Sequence, residues 1–126
     1  MDNKIELEVG EILNRVPSDL NLVVMLHEKG GDRSLPLLVG LLEAQSIAIN
    51  ILKMKMPRPN IYDLYVKTLE QMDAFLEEVF IYKLENGVFH SYIYINKDGN
   101  SQYIDSRTSD AVALAVRTGV PIYIDS

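Results

Sequence analysis

A chain of 126 residues with 18 acidic and 12 basic side chains has a formal net charge of −6, which opposes non-specific adhesion to polyanions. Cysteine is absent, which excludes disulfides, thiolate metal centres and cysteine nucleophiles, and fits a reducing compartment. No basic stretch precedes an apolar one at the start and charges interrupt every apolar run, so the expectation is one soluble, cytoplasmic domain over residues 1–126 with no membrane span.

Ile5, Leu7 and Val9 alternate with Lys4, Glu6 and Glu8, the period of a strand with one wet face, and the pattern resumes at Leu13 before Pro17-Ser18-Asp19 breaks it. A second strand is predicted from Asn21 to Glu28, a turn at Gly30-Gly31, and a third strand from Ser34 to Val39. At Gly40 the spacing becomes helical, through Leu41, Ala44, Ile47, Ala48, Ile51 and Leu52. Pro57-Arg58-Pro59 is expected to end that helix, because neither proline donates a hydrogen bond and each disfavours helix in its predecessor.

Asn60 is a predicted cap for a second helix, with Asp63 placed to reach back to it, and Leu64, Leu69 and Met72 with Val66 or Phe75 as the buried side. A strand is expected from Val79, then the hairpin signal Asn86-Gly87, a strand from Phe89 to Ile95, a second hairpin at Lys97-Asp98-Gly99-Asn100, and a strand to Asp105. The apolar helix Ala111–Val116 ends at Gly119 with Pro121 beyond, and Val120–Ile124 is the last strand. This order predicts an α+β fold: a single domain with a mixed, mainly antiparallel sheet and about three helices.

The segment Asp105-Ser106-Arg107-Thr108-Ser109-Asp110 packs two carboxylates, a guanidinium and three hydroxyls ahead of a helix with almost nothing polar to present. Helix N-termini favour anionic groups, so this is the first candidate site. Asp63, Asp105, Asp110 and Glu43 supply hard oxygen ligands suited to Mg²⁺ or Mn²⁺, yet acids near helix starts also simply complement the dipole. Arg58, held between prolines, suits bidentate binding of phosphate, or a salt bridge to Asp105 or Asp110. Lys53, Lys55 and Arg58 form the one clear basic cluster, which a solvated helix end also explains. Ser109 reads most simply as a helix N-cap. His27 and His90 show no ligand spacing, and the tyrosines read as cross-strand packing or as stacking faces for bases.

Leu35-Pro36-Leu37-Leu38-Val39-Gly40, Glu43-Ala44, Pro57-Arg58-Pro59 with Asp63-Leu64, and Ile104-Asp105-Ser106-Arg107-Thr108-Ser109-Asp110-Ala111 occur in an order and at separations that resemble the bifunctional nuclease domain family of bacteria, archaea and plants. The resemblance spans most of the chain. It implies a compact α+β fold, a homo-oligomer, and nuclease activity on RNA and DNA. The chain departs from the family pattern at Tyr62, where the family usually carries histidine, and at Thr108, where it usually carries proline. Tyrosine cannot replace that imidazole as a base near neutral pH.

The resulting expectation is a metal-assisted phosphodiesterase acting on RNA or single-stranded DNA. In it Asp63, Asp110 and Glu43 hold Mg²⁺ or Mn²⁺, Arg58 and Arg107 clamp phosphate, and Ser109 lies in the same cluster. The alternative from another class is a non-enzymatic binding or assembly module in which the same residues form a structural ion-pair network.

Overall fold

The computed structural model describes residues 3–14 and 22–126, so the expected break at Pro17-Ser18-Asp19 and the strand start at Asn21 lie outside the described residues. The chain runs through β1 (Lys4–Leu13), β2 (Leu22–Glu28), β3 (Ser34–Val39), α1 (Leu41–Ile51), α2 (Ile61–Gln71), β4 (Ala74–Glu85), β5 (Val88–Lys97), β6 (Asn100–Arg107), α3 (Thr108–Thr118) and β7 (Ile122–Asp125). These strands form a seven-stranded sheet in the order β3-β2-β1-β7-β4-β5-β6. All neighbours pair antiparallel except β4 and β7. The fold is α+β with a mixed, mainly antiparallel sheet, as the element order predicts. Among the described residues no helix is long and apolar enough to cross a membrane.

The two tight hairpins form where expected. Asn86 and Gly87 both have positive φ, as do Asp98 and Gly99, the geometry whose twist matches that of the flanking strands. Pro36 sits in β3, an outermost strand of the sheet, where a missing N–H is tolerated. β4 begins at Ala74 rather than Val79. A register shift between Leu76 and Glu78 breaks the two-residue alternation, so the first residues of the strand do not read as one.

Helix α3 carries the core. Ala111, Val112, Ala113, Leu114 and Ala115 are all buried, which on a helix requires cover on every side. The sheet lies on one side through Val79, Ile81 and Ile93, and α1 and α2 pack on the rest. The three alanines allow that close approach.

The outer helices turn differently from expectation. On α1 the inward positions are Glu43, Ala44, Ser46 and Ile47, whereas Leu41, Ile51 and Leu52 are exposed. On α2 the buried stripe is Tyr62 and Val66 with Leu69 partly covered, and Leu64, Met72 and Phe75 face outward. The first helix also stops before its prolines. Lys53 adopts a left-handed φ of 56°, and the Met54 N–H returns to the carbonyl of Ile49, five residues back, at 3.0 Å, which closes the helix without help from Pro57.

The sheet face away from the helices is lined with aromatic rings. Tyr82 stacks on Tyr92 at a centroid distance of 4.1 Å, and Tyr103 meets Tyr92 edge-on at 4.7 Å.

Ala113→Leu is expected to lower stability by about 1–3 kcal/mol through overpacking between α3 and its neighbours. The urea midpoint should fall with an unchanged denaturant slope.

Candidate functional site

The site begins where β6 becomes α3. Arg107 is the last residue of β6 and the N-cap of the helix, with extended backbone at φ −60° and ψ 140°. Thr108 follows it into the interior. Its Oγ1 donates to the Phe89 carbonyl at 3.1 Å and is met by the Ser91 hydroxyl. This anchoring starts the helix earlier than expected, so Ser109 is the second helical residue and not the N-cap. Ser109 is largely buried, and its hydroxyl, at the edge of a surface pocket, makes no hydrogen bond to another described residue.

Asp110 lies in the first turn, three residues after Arg107, and the two form a bidentate pair: Nε to Oδ2 at 2.9 Å and Nη2 to Oδ1 at 3.2 Å. From the first turn of α2, the Tyr62 hydroxyl donates to the same Oδ1 at 2.6 Å. The Glu43 Oε2 lies 3.5 Å from Arg107 Nη2, and also accepts the Gly40 N–H at 3.1 Å to close the start of α1. Gly40 matters here because a Cβ would come within 2.8 Å of that carboxylate. Three helix N-termini thus contribute to one network, Tyr62–Asp110–Arg107–Glu43.

Burial, reinforced by the Asp110 carboxylate it donates to, pushes the Tyr62 phenol well above its ordinary range. The phenol therefore stays protonated and acts as a donor that orients Asp110. Arg107 is fixed by two carboxylates yet keeps 70% of its side chain exposed, and its Nη1 has no partner among the described residues. It stands at the mouth of a cleft of about 450 Å³ lined by Ile61, Tyr62, Tyr65, Ile104, Asp105, Arg107 and Asp110.

The remaining expected site residues go elsewhere. Asp63 completes the predicted capping box, accepting the Asn60 N–H at 3.0 Å while its own N–H reaches Asn60 Oδ1 at 2.9 Å. Its other oxygen accepts from Arg117 Nε at 2.7 Å. Asp110 and Arg117 are seven residues apart on α3, about 10 Å along its axis, so Asp63 and Asp110 serve separate arginines. Arg58 is exposed, and its side chain forms no ion pair or hydrogen bond with Asp105 or Asp110. Asp105 lies on the aromatic face of the sheet, opposite Tyr92, where Tyr82 Oη approaches it at 3.4 Å.

This donor set does not fit a divalent ion. Asp63 is held by Arg117, Glu43 and Asp110 share the positive charge of Arg107, and among the described residues no three His, Asp or Glu side chains are grouped to hold a metal. Arg117 is not among the expected site residues. Nothing in the spacing between positions 63 and 117 marks them as partners, since their contact depends on how α2 crosses α3.

A sequence model described as the bifunctional nuclease domain matches residues 24–126. An uncharacterized protein of Mycobacterium tuberculosis is 36% identical over 103 residues, covering 82% of this chain and 61% of that protein. Bifunctional nuclease 1 of Oryza sativa subsp. japonica and the bifunctional nuclease of Oryza minuta are each 31% identical over 108 residues, covering 82% of this chain and 32% of theirs. The chain thus spans about three fifths of the mycobacterial relative and about a third of the rice ones.

Burial opposes ionisation of Asp63, but the Asn60 N–H and the Arg117 guanidinium outweigh it and hold the carboxyl below its ordinary range. A lowered folded pKa stabilises above the unfolded value and is lost as pH falls through the folded one. Asp63→Ala should therefore cost about 1–2 kcal/mol at neutral pH, and the deficit should shrink as pH drops below about 4. Paired thermal melts across pH check this.

Proposed function

The chain belongs to the bifunctional nuclease domain family, and from that premise we propose that it takes a phosphodiester of single-stranded RNA or DNA into the Arg107 cleft and hydrolyses it there. The observation that carries this reading is the state of Arg107. An exposed guanidinium held rigid by Asp110 and Glu43, with Nη1 free to donate, is a pre-organised clamp for a phosphate whose charge grows in the transition state. The N-terminus of α3 adds its positive dipole end beside it.

In this arrangement Arg107 takes the non-bridging phosphate oxygens. Asp110, with a lone pair of Oδ2 still open, orients the attacking water, and Tyr62 fixes the angle of that carboxylate. Ile61, Tyr65 and Ile104 give the cleft apolar walls against which a base can lie.

One observation favours a second reading. Arg107 is balanced by two carboxylates inside an acidic chain, so the same network also suits a structural tie between α1, α2 and α3 in a binding or assembly module.

Cleavage of an end-labelled single-stranded RNA, with and without added Mg²⁺ or Mn²⁺, separates the two. Arg107→Gln is expected to slow cleavage by about 100-fold or more, the typical effect of losing one oriented transition-state donor, while Asp63→Ala keeps near-normal turnover below its melting temperature. Equal cleavage by the parent chain and Arg107→Gln removes the cleft from the chemistry. A large fall in melting temperature for Arg107→Gln with no change in RNA binding identifies the network as structural.

A further inference from the structure

Charge is unevenly distributed on this acidic protein. From Ala44 to Tyr62 the sequence contains no aspartate or glutamate, and its only charges are Lys53, Lys55 and Arg58. Most described cations elsewhere have internal partners, among them Lys29 with Glu6, Arg33 with Glu28 and Arg117 with Asp63, while the exposed Lys67 on α2 lies within electrostatic reach of Asp63. Lys53, Lys55 and Arg58 are exposed, and their side chains make no ion pair or hydrogen bond among the described residues.

The segment that carries them is shaped and fastened. Lys53 turns left-handed at the end of α1, and Pro57 and Pro59 restrict the backbone on either side of Arg58. At its far end the Asn60 side-chain amide donates to the buried Ser46 hydroxyl of α1 at 3.3 Å, while the Asn60 carbonyl oxygen Oδ1 caps α2. Met54 and Met56 alternate with the lysines and are also exposed, presenting polarizable thioethers. Asn60 leads directly into Ile61 and Tyr62, which line the cleft, so no more than about 14 Å of chain separates Arg58 from Tyr62.

We propose that this loop, residues 53–58, is the docking surface for the backbone of a single-stranded nucleic acid whose scissile phosphate lies in the Arg107 cleft. The inference rests on the reading of that cleft as a phosphodiester site. Charge complementarity selects a polyanion, because these are cations without internal counter-ions on a molecule that otherwise repels one. Continuity with the cleft selects a nucleic acid strand over a lipid surface. The methionines contact bases and the cations contact phosphates, so recognition is tolerant of sequence.

The test is fluorescence anisotropy of a labelled oligouridylate of about 12 nucleotides, titrated at several salt concentrations with the parent chain, the variant Lys53→Gln/Lys55→Gln/Arg58→Gln, and Arg107→Gln. Each lost phosphate contact should lower the slope of log affinity on log salt by about 0.7, so the triple variant should bind at least about tenfold more weakly at low salt with a slope smaller by about two. If the parent chain binds and the triple variant matches it in affinity and slope while Arg107→Gln does not, the loop proposal is overturned and the cleft reading stands. If the parent chain binds no oligouridylate, both are overturned.

Discussion

The hydrogen bond from the Thr108 hydroxyl to the Phe89 carbonyl, backed by Ser91, decides where β6 stops and α3 starts. A buried hydroxyl without partners would be costly, so this contact admits little slippage. Once it is made, Arg107 occupies the boundary and Asp110 the first turn, at the spacing that lets a guanidinium grip a carboxylate with two hydrogen bonds. Burial of Ala111–Ala115 then presses the helix onto the sheet and gives that pair a fixed position relative to the starts of α1 and α2.

Electrostatics in the site follow from this packing. Glu43 and Tyr62 meet the pair because each belongs to the first turn of its own helix, and all three first turns approach one another. The result is a guanidinium that is neutralised on one edge and open on the other. Tyr62 has a positioning role there, since a phenol that resists ionisation can donate to Asp110 but cannot remove a proton. The family histidine would bring a titratable group to this place; the tyrosine brings a fixed donor. Lys53, Lys55 and Arg58 lie on the loop leading into α2, whose first residues Ile61 and Tyr62 line the cleft.

Wherever the deciding forces are local, the sequence is a reliable guide. Asn60 and Asp63 form their reciprocal cap because both partners lie within one turn, and Asn86-Gly87 and Asp98-Gly99 turn the chain because their residues tolerate positive φ. The end of α1 is a local feature without the usual mark: a lysine takes the left-handed position that glycine usually marks, four residues before Pro57. The start of β4 was hidden by a bulge that disrupts the alternation on which strands are recognised. Leu64 and Met72 were expected inside because they are apolar, but the buried stripe is set by which face of α2 meets α3 and β4.

The candidate site divides along the same line. Sequence alone determined that charged and hydroxyl side chains concentrate at residues 105–110, that Arg107 and Asp110 are within reach of each other, and that the fold is α+β with three helices against a mixed sheet. It did so because those features depend on residues a few positions apart or on periodicity. Tertiary structure alone decided that Asp63 turns to Arg117, that Arg58 stands apart on its loop, and that Tyr62 and Glu43 close around Asp110 and Arg107. Those choices depend on how three helices cross one another over the sheet, and crossing geometry is fixed by the summed packing of the whole core, which no short stretch of sequence encodes.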